Sequence, residues 1–418
     1  MRRGLLSTLL AALGTATACD VDEPMAPTPT GARPAAEVAV TALATVLGKT
    51  TVDDEGEVGE HTSLVSSSDG TQRIAYVADR GTGDHLEYAS CSANCTSAGN
   101  WQRGVIDPSY GTGFSASLKV KSGVRHVVYF DAEVGQLKYA RCSDGCLLEG
   151  NWKKGGIVKN EAQTAGQYPS LAIGGSGRLY VSYVDGPNWA LKYGTCLSGC
   201  TSAANWQHAT VDGGGLGNAS LYRHSSIAIG ADGRRHISYR SGGKLKYATC
   251  LAECTNAANW QKLTVDQAAG TGGFSSLTID GNGARHISYY DSTYKNLKYA
   301  RCASNCLNSA GWGRVTVDQG SGTTAAVGQF TSLAVGGDGT VHVSYYSETF
   351  KDLRYARCVG SCLQSSSWSR QTVDGICLIP LSCPNVGRYS SLALGGGRVH
   401  ISYYRDTGQD LRYLELTQ

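Results

Sequence analysis

The chain has 418 residues, enough for one large core or several smaller ones, with 54 glycines, 17% charged residues and a formal net charge of +3. No basic run or stripe is present to hold nucleic acid, and no acidic block marks a disordered tail. Fifteen cysteines point to an oxidising compartment.

The N-terminus agrees. Arg2 and Arg3 precede an apolar run from Leu5 to Leu13, and small residues follow up to Cys19. Residues 1–18 read as a secretory signal peptide, too short to span a bilayer. Ala16-Thr17-Ala18 admits two readings: ordinary cleavage after Ala18, or lipidation of Cys19 as the first mature residue. The stretch resembles a bacterial lipoprotein signal, and setting Cys19 aside leaves fourteen cysteines, an even number. Residues 19–37 hold four of the nine prolines and read as an extended tether. The expectation is an exported cell-envelope lipoprotein, periplasmic or surface-displayed and held to the membrane through its lipid alone. If Cys19 carries no lipid, the protein is secreted.

Residues 38–418 read as one domain, and from about residue 61 to the end the sequence repeats itself in blocks of roughly 50 to 56 residues. Residues 274–318 show four short runs, "SSLTI", "RHISYY", "LKYAR" and "WGRVTVD", each β-branched or aromatic and bounded by turn residues. "DGNG" between the first two is a hairpin signal. No helical period appears. Four strands at this repeat length predict an all-β fold, a seven-bladed β-propeller of four-stranded blades. The second strand occurs seven times, from "RIAYVAD" at 73–79 to "HISYYR" at 400–405. The last block ends after its third strand, and "VLGKTTVD" at 46–53 carries the T-V-D ending of a fourth strand. The N-terminal strand is therefore expected to complete the C-terminal blade and close the ring.

Six copies of C-x3-C-x5-W join third and fourth strands. The cysteines are Cys91 and Cys95, Cys142 and Cys146, Cys196 and Cys200, Cys250 and Cys254, Cys302 and Cys306, and Cys358 and Cys362. Their tryptophans are Trp101, Trp152, Trp206, Trp260, Trp312 and Trp368. The seventh blade takes these strands from opposite chain ends, so it has no such turn. A tetrahedral metal site needs four ligands and each turn offers two. Redox motifs favour C-x-x-C. Structural disulfides are expected, each worth roughly 2 kcal/mol by loop closure, with Cys377–Cys383 as a seventh. No metal or cofactor is expected. The repeated His126, His236, His286, His342 and His400 read as scaffold. Their expected neighbours, a first-strand Ser and a fourth-strand Trp and Asp, resemble the His/Ser/Asp/Trp network of WD-repeat propellers. The repeated tyrosines Tyr139, Tyr193, Tyr247, Tyr299, Tyr355 and Tyr413 read as packing between blades.

With its H-I-S-Y-Y-D and L-K-Y-A repeats, the chain is similar to bacterial secreted propellers loosely grouped with sialidase-like (BNR-like) propellers. The resemblance implies the fold and little of the activity. The sialidase Asp-box is absent, and no arginine cluster or tyrosine nucleophile can be assigned. In propellers the face bearing the fourth-to-first and second-to-third strand loops commonly binds ligands, and here those loops vary most. Several end in an aromatic ring: His61, Tyr168, His224, Phe274, Phe330 and Tyr389, with Phe114 offset by one residue. These rings could plug the channel as scaffold, or face water and stack on sugar or a protein partner. Residues that break the repeat are further candidates: Trp189, Tyr222 and Arg223 beside His224, and Arg388 beside Tyr389. The acids Asp54, Glu55, Glu57, Glu60 and Glu161 show no pairing pattern in the sequence. No catalytic residue is assigned. The favoured reading is a monomeric, non-catalytic binding module for glycan or protein. The alternative is a glycan-acting hydrolase or polysaccharide lyase.

Overall fold

The computed structural model describes residues 43–158, 165–186, 188–213, 224–320, 325–376 and 383–418. The signal and tether readings lie outside them, as do Tyr222, Arg223, Glu161 and Cys377.

Antiparallel four-stranded units follow one another along the chain. They are β2–β5 (57–107), β6–β9 (112–156), β10–β13 (165–212), β14–β17 (225–266), β18–β21 (271–318) and β22–β25 (327–374). In the remaining sheet β26–β28 (386–417) is joined by β1 (Val46–Asp53). There β1 pairs antiparallel with β28 (Asp410–Thr417), Val46 opposite Leu416 and Thr50 opposite Tyr413. The displaced T-V-D strand thus lies where the repeat requires a fourth strand. Five units are separate sheets. The β6 and β10 units merge into an eight-stranded sheet through one parallel bridge, Ala165 to Gln136.

Second strands such as "RHISYYD" (Arg285–Asp291) are buried at almost every position because both their faces lie against neighbouring units. Four kinds of contact join consecutive units, and each follows from repeated residues. In the first, a first-strand serine hydroxyl accepts the amide of an apolar residue in the next unit. Ser63 accepts from Leu118, Ser117 from Leu171, Ser170 from Ile227, Ser226 from Leu277, Ser276 from Leu333, Ser332 from Leu392 and Ser391 from Leu64, at 2.9–3.2 Å. The last of these bonds leads back to the β2 unit.

In the second, a hydroxyl bridge joins first and second strands: Thr62 to Ser402, Ser225 to Ser182, Ser275 to Ser238, Thr331 to Ser288 and Ser390 to Ser344. At the two remaining joints the corresponding pairs are Ala116 with Ala75, and Pro169 with Val128. Where one hydroxyl is missing its partner is missing too, so neither is left buried and unpaired.

Third, a second-strand tyrosine donates to the T-V-D aspartate or its counterpart in the preceding unit. The pairs are Tyr76–Asp53, Tyr129–Asp107, Tyr239–Asp212, Tyr289–Asp266, Tyr345–Asp318 and Tyr403–Asp374, at 2.6–2.8 Å. The outer strand of the β6 unit, β9 (Lys153–Gly156), lacks T-V-D, and Tyr183 meets His208 instead. Fourth, third-strand tyrosines stack edge-on against the tryptophan of the next unit, from Tyr88–Trp152 round to Tyr413–Trp101, with centroids 5.0–6.1 Å apart.

All six C-x3-C pairs are disulfides: Cys91 with Cys95, Cys142 with Cys146, Cys196 with Cys200, Cys250 with Cys254, Cys302 with Cys306, and Cys358 with Cys362. Their Cα atoms are 5.7–5.8 Å apart, an ordinary bridging distance. The second cysteine of each pair has another task. The carbonyls of Cys95, Cys146, Cys200, Cys254, Cys306 and Cys362 accept from the tryptophan Nε1 of the same turn, at 2.8–3.0 Å. Disulfide and indole thus fix each turn from both sides, which makes these cysteines scaffold rather than ligand-binding groups. Cys383 is disulfide-bonded as well.

The histidine network differs from the one expected. His126, His286, His342 and His400 pair through Nδ1 with the hydroxyls of Tyr139, Tyr299, Tyr355 and Tyr413 at 2.6–2.7 Å. His236 pairs likewise with Tyr247. Each histidine reaches the tyrosine diagonally across the ladder, two positions from its own registered partner (His126 is registered with Arg141, Tyr139 with Val128), whereas the tryptophan is held by its own turn and the aspartate by the next unit.

Candidate functional site

The first strands share one irregularity. In the β2 unit, Glu60 pairs with Val77 and the next registered pair is Ser63 with Ala75, so His61 and Thr62 bulge out of the ladder. Phe114/Ser117, Gln167/Ser170, Gly273/Ser276, Gln329/Ser332 and Arg388/Ser391 bracket the same bulge in other units. Its first residue is left-handed: φ is 51° at His61, 54° at Ser115, 49° at Tyr168, 52° at Phe274, 50° at Phe330 and 53° at Tyr389. For bulky side chains this conformation costs about 1–3 kcal/mol each, and it persists because packing holds it.

The bulge brings the predicted rings together. Centroid distances run 4.4 Å for His61–Tyr389, 4.7 Å for Tyr389–Phe330, 4.6 Å for Phe330–Phe274, 4.7 Å for Phe274–His224 and 4.7 Å for His224–Tyr168. This collar and the serines and threonines behind it line a cavity of about 190 Å³. Most of those hydroxyls are spent on the bridges between units, so the cavity wall is largely scaffold. Burial depresses the His61 imidazole to about 3, with His224 as a second cause, and depresses His224 to about 4. Both rings are neutral at physiological pH.

Phe114 is not in the collar. It holds the ladder position opposite Phe130, and Ser115 takes the bulge position where other units carry a ring.

The residue before the bulge takes five identities over six units: Glu60, Phe114, Gln167, Gly273, Gln329 and Arg388. Burial raises the Glu60 carboxyl to about 7, helped by Glu57, Asp84 and Asp406 and opposed by Arg388. Arg388 pairs with Asp406 at 3.5 Å and lies over the Tyr346 ring at 5.7 Å. Tyr404 donates to Glu57 at 3.2 Å. Acids unpaired in the sequence are thus gathered beside Tyr389. The sequence offers Glu60 only as one of several loop acids without a pairing pattern, because what sets it apart is its bulge-adjacent position. Aligning the repeats would have placed it level with Arg388.

Trp189 stands apart from these residues. It takes the left-handed position of a second-to-third strand turn, φ 47°, where other units have Gly135, Gly243, Lys295, Lys351 and Gln409. Its position after Pro187 and Asn188 predicts a ring presented to solvent; instead the ring is half-buried against a cluster containing Tyr193 and Tyr239. Among the described residues no group of three or more His, Cys, Asp or Glu is placed to hold a metal ion.

No family model matches the sequence, and no curated protein does. Among solved structures, the polysaccharide lyase Uly1 is similar over 88% of this chain and 91% of its own, with 12% identity and a TM-score of 0.50. The fold is an all-β propeller shared with that lyase. Weaker likenesses are the Hadza microbial sialidase Hz136, at 13% identity and TM-score 0.47 over 88% of this chain and 68% of that one, and the NanB sialidase from Streptococcus pneumoniae, at 11% identity and TM-score 0.45 over 90% and 70%. The propeller likeness is one of fold alone.

Proposed function

We propose that the protein is a seven-bladed propeller closed by β1, displayed on the bacterial envelope through Cys19, which binds glycan at the collar face without catalysing a reaction. The observation that carries the binding reading is the collar. Six aromatic rings, five of them at left-handed bulge positions, surround the 190 Å³ cavity and are flanked by unlike residues, several of them polar, the combination of stacking surface and hydrogen-bonding rim that sugars suit. A glycan array probed with the full-length protein tests this. Specific binding is expected, and binding of protein partners alone would overturn it. A monomer is the proposed state.

The closure is supported by the β1–β28 pairing. Deleting residues 46–53 should uncover β28 and cause aggregation or loss of cooperative unfolding. A deletion variant that melts like the wild type would count against it. Lipidation is tested by Cys19→Ser, which should move the protein from the detergent phase to the aqueous phase.

One observation favours the second reading, a glycan hydrolase or lyase. Glu60, ionising at about 7 beside Arg388 and Tyr389, has the protonation a general acid or base needs near neutrality. Release of reducing ends or unsaturated sugars from any glycan that binds would establish it, and a Glu60→Gln variant that kept the activity would remove Glu60 from the chemistry.

A further inference from the structure

The collar is interrupted at one point. In the β6 unit the bulge residue is Ser115, with the same left-handed φ as its ring-bearing counterparts. A second pocket opens there, about 180 Å³, lined by His61, Phe114, Ser115, Phe130, Ala132, Gln167 and Tyr168. Its position is that of the absent ring, between His61 on one side and Tyr168 on the other. Phe114, the displaced ring, sits edge-on to His61 with centroids 5.6 Å apart and forms part of the pocket wall. The two joints flanking this unit are also those where the hydroxyl bridge is replaced by apolar pairs, Ala116 with Ala75 and Pro169 with Val128. The notch therefore lies where the wall of the channel is least committed to its own hydrogen bonds.

We infer that this notch binds one pyranose ring of a glycan, seated between His61 and Tyr168 as the missing member of the collar. The inference rests on the glycan-binding reading and specifies its site. The volume lies below the roughly 300–1,000 Å³ of a drug-sized pocket, so it suits a single ring rather than a folded segment. The lining is amphipathic. Phe114, Phe130 and Tyr168 offer faces to the axial C–H groups of a sugar, while Ser115, Gln167 and the neutral His61 offer hydrogen bonds to its hydroxyls. A purely aromatic occupant would leave those polar groups unpaired, a cost of about 1–3 kcal/mol for each one buried.

The chain's own repeat supplies the test. Tyr168 and Tyr389 hold a tyrosine at this backbone conformation, so Ser115→Tyr should fold and fill the notch. In the full-length protein, saturation-transfer NMR against a panel of methyl pyranosides, with phenol as the aromatic probe, should show transfer to at least one pyranoside. Ser115→Tyr should weaken that binding tenfold or more, with the melting temperature within a few degrees of wild type. Should Ser115→Tyr fold poorly, Gln167→Ala decides: loss of pyranoside binding supports the notch and unchanged binding overturns it. Glycan binding that survives a folded Ser115→Tyr unaltered sinks the notch but leaves the collar face standing. Binding of phenol without any pyranoside overturns the sugar assignment. No glycan binding by the wild type on the array or in solution removes both readings.

Discussion

The β6 and β18 units share one repeat and differ most at one end. At the cysteine-turn end the bridge and indole match: Cys142–Cys146 and Cys302–Cys306 are bridged, and Trp152 and Trp312 donate to the second cysteine's carbonyl. At the collar end they differ. Phe274 joins the collar and Ser275 bridges to Ser238, where the β6 unit has Ser115 and Ala116. The outer strand of the β18 unit ends in Asp318, which accepts from Tyr345, while β9 has no such aspartate. What both units keep is what any unit needs to stand beside its neighbours. The groups the β6 unit lacks at the collar end cluster around one notch.

The largest effect should fall on the shared part, and fall equally. Trp152 and Trp312 are 4% and 2% exposed, and each packs against a tyrosine of the preceding unit. Truncating either to alanine should cost about 3–5 kcal/mol, a normal penalty for a large core ring. Denaturant unfolding of the two variants checks this. A clearly smaller loss for Trp152→Ala would mean that the β6 unit is looser throughout, and the comparison would no longer isolate its collar end.

The hydroxyl bridges come next. Thr331 donates to Ser288 at 2.7 Å in a buried setting. Ser288→Ala should cost about 1–3 kcal/mol by stranding the threonine hydroxyl. Adding Thr331→Val should recover most of that, because the pair would then resemble Ala116 and Ala75. Failure of the second change to rescue the first would mean that the joints at the β6 unit owe their tolerance to something other than paired loss.

Much of this was legible in the sequence. The strands, the six bridged turns and the position of the 46–53 strand beside the last one all follow from repeated residues read against strand and turn chemistry. Two things were not. The partners of the histidines depend on ladder register, and a one-residue difference sends a side chain to the other face of a strand. The same limit left Phe114 ambiguous: only the observed bulge shows that it lies in the ladder and Ser115 in the collar. The gathering of Glu57, Glu60, Asp84 and Asp406 was hidden for another reason. It joins residues from opposite ends of the chain, and no local pattern records such proximity.

Glu60 gives a pH-dependent contrast between collar and scaffold. Its carboxyl is raised from 4.5 to about 7, so the folded state holds this proton more tightly than the unfolded chain does. The stability it contributes is complete below its unfolded value and is lost as pH rises through 7. Glu60→Gln should therefore be neutral near pH 4 and stabilising near pH 8, by about 1–3 kcal/mol. The buried histidines act in the opposite sense. His236 and His342 are depressed to about 3 and 4, so their contribution is full above 6.5 and is lost on acidification. Between about pH 4.5 and 7 the two effects oppose each other, so Glu60→Gln should steepen the loss of stability on acidification across that window and run parallel to wild type above about pH 8. A variant whose stability runs parallel to wild type between about pH 4.5 and 7 would show that Glu60 does not hold its proton in the folded state.

The smallest effect on stability is expected at Trp189. Its backbone position accepts Lys295 and Lys351 elsewhere in the chain at φ 57° and 54°, so Trp189→Lys introduces no conformation the repeat does not already tolerate. The ring is half-buried, and its contacts with the cluster around Tyr193 and Tyr239 contribute to folding. Lysine keeps the same Cβ in the left-handed turn, so only the half-buried indole surface is lost, and the net change should be about 1 kcal/mol. Binding is a separate matter. A tryptophan on a ligand-facing loop commonly contributes more than 1 kcal/mol, about fivefold in affinity. If Trp189→Lys leaves both the melting temperature and glycan affinity unchanged, the ring is surface packing, and recognition is confined to the collar. If affinity drops at least fivefold while stability holds, the ligand reaches outward from the collar to this turn, and the binding face extends beyond one pyranose. A stability loss as large as that of Trp312→Ala would place Trp189 with the scaffold.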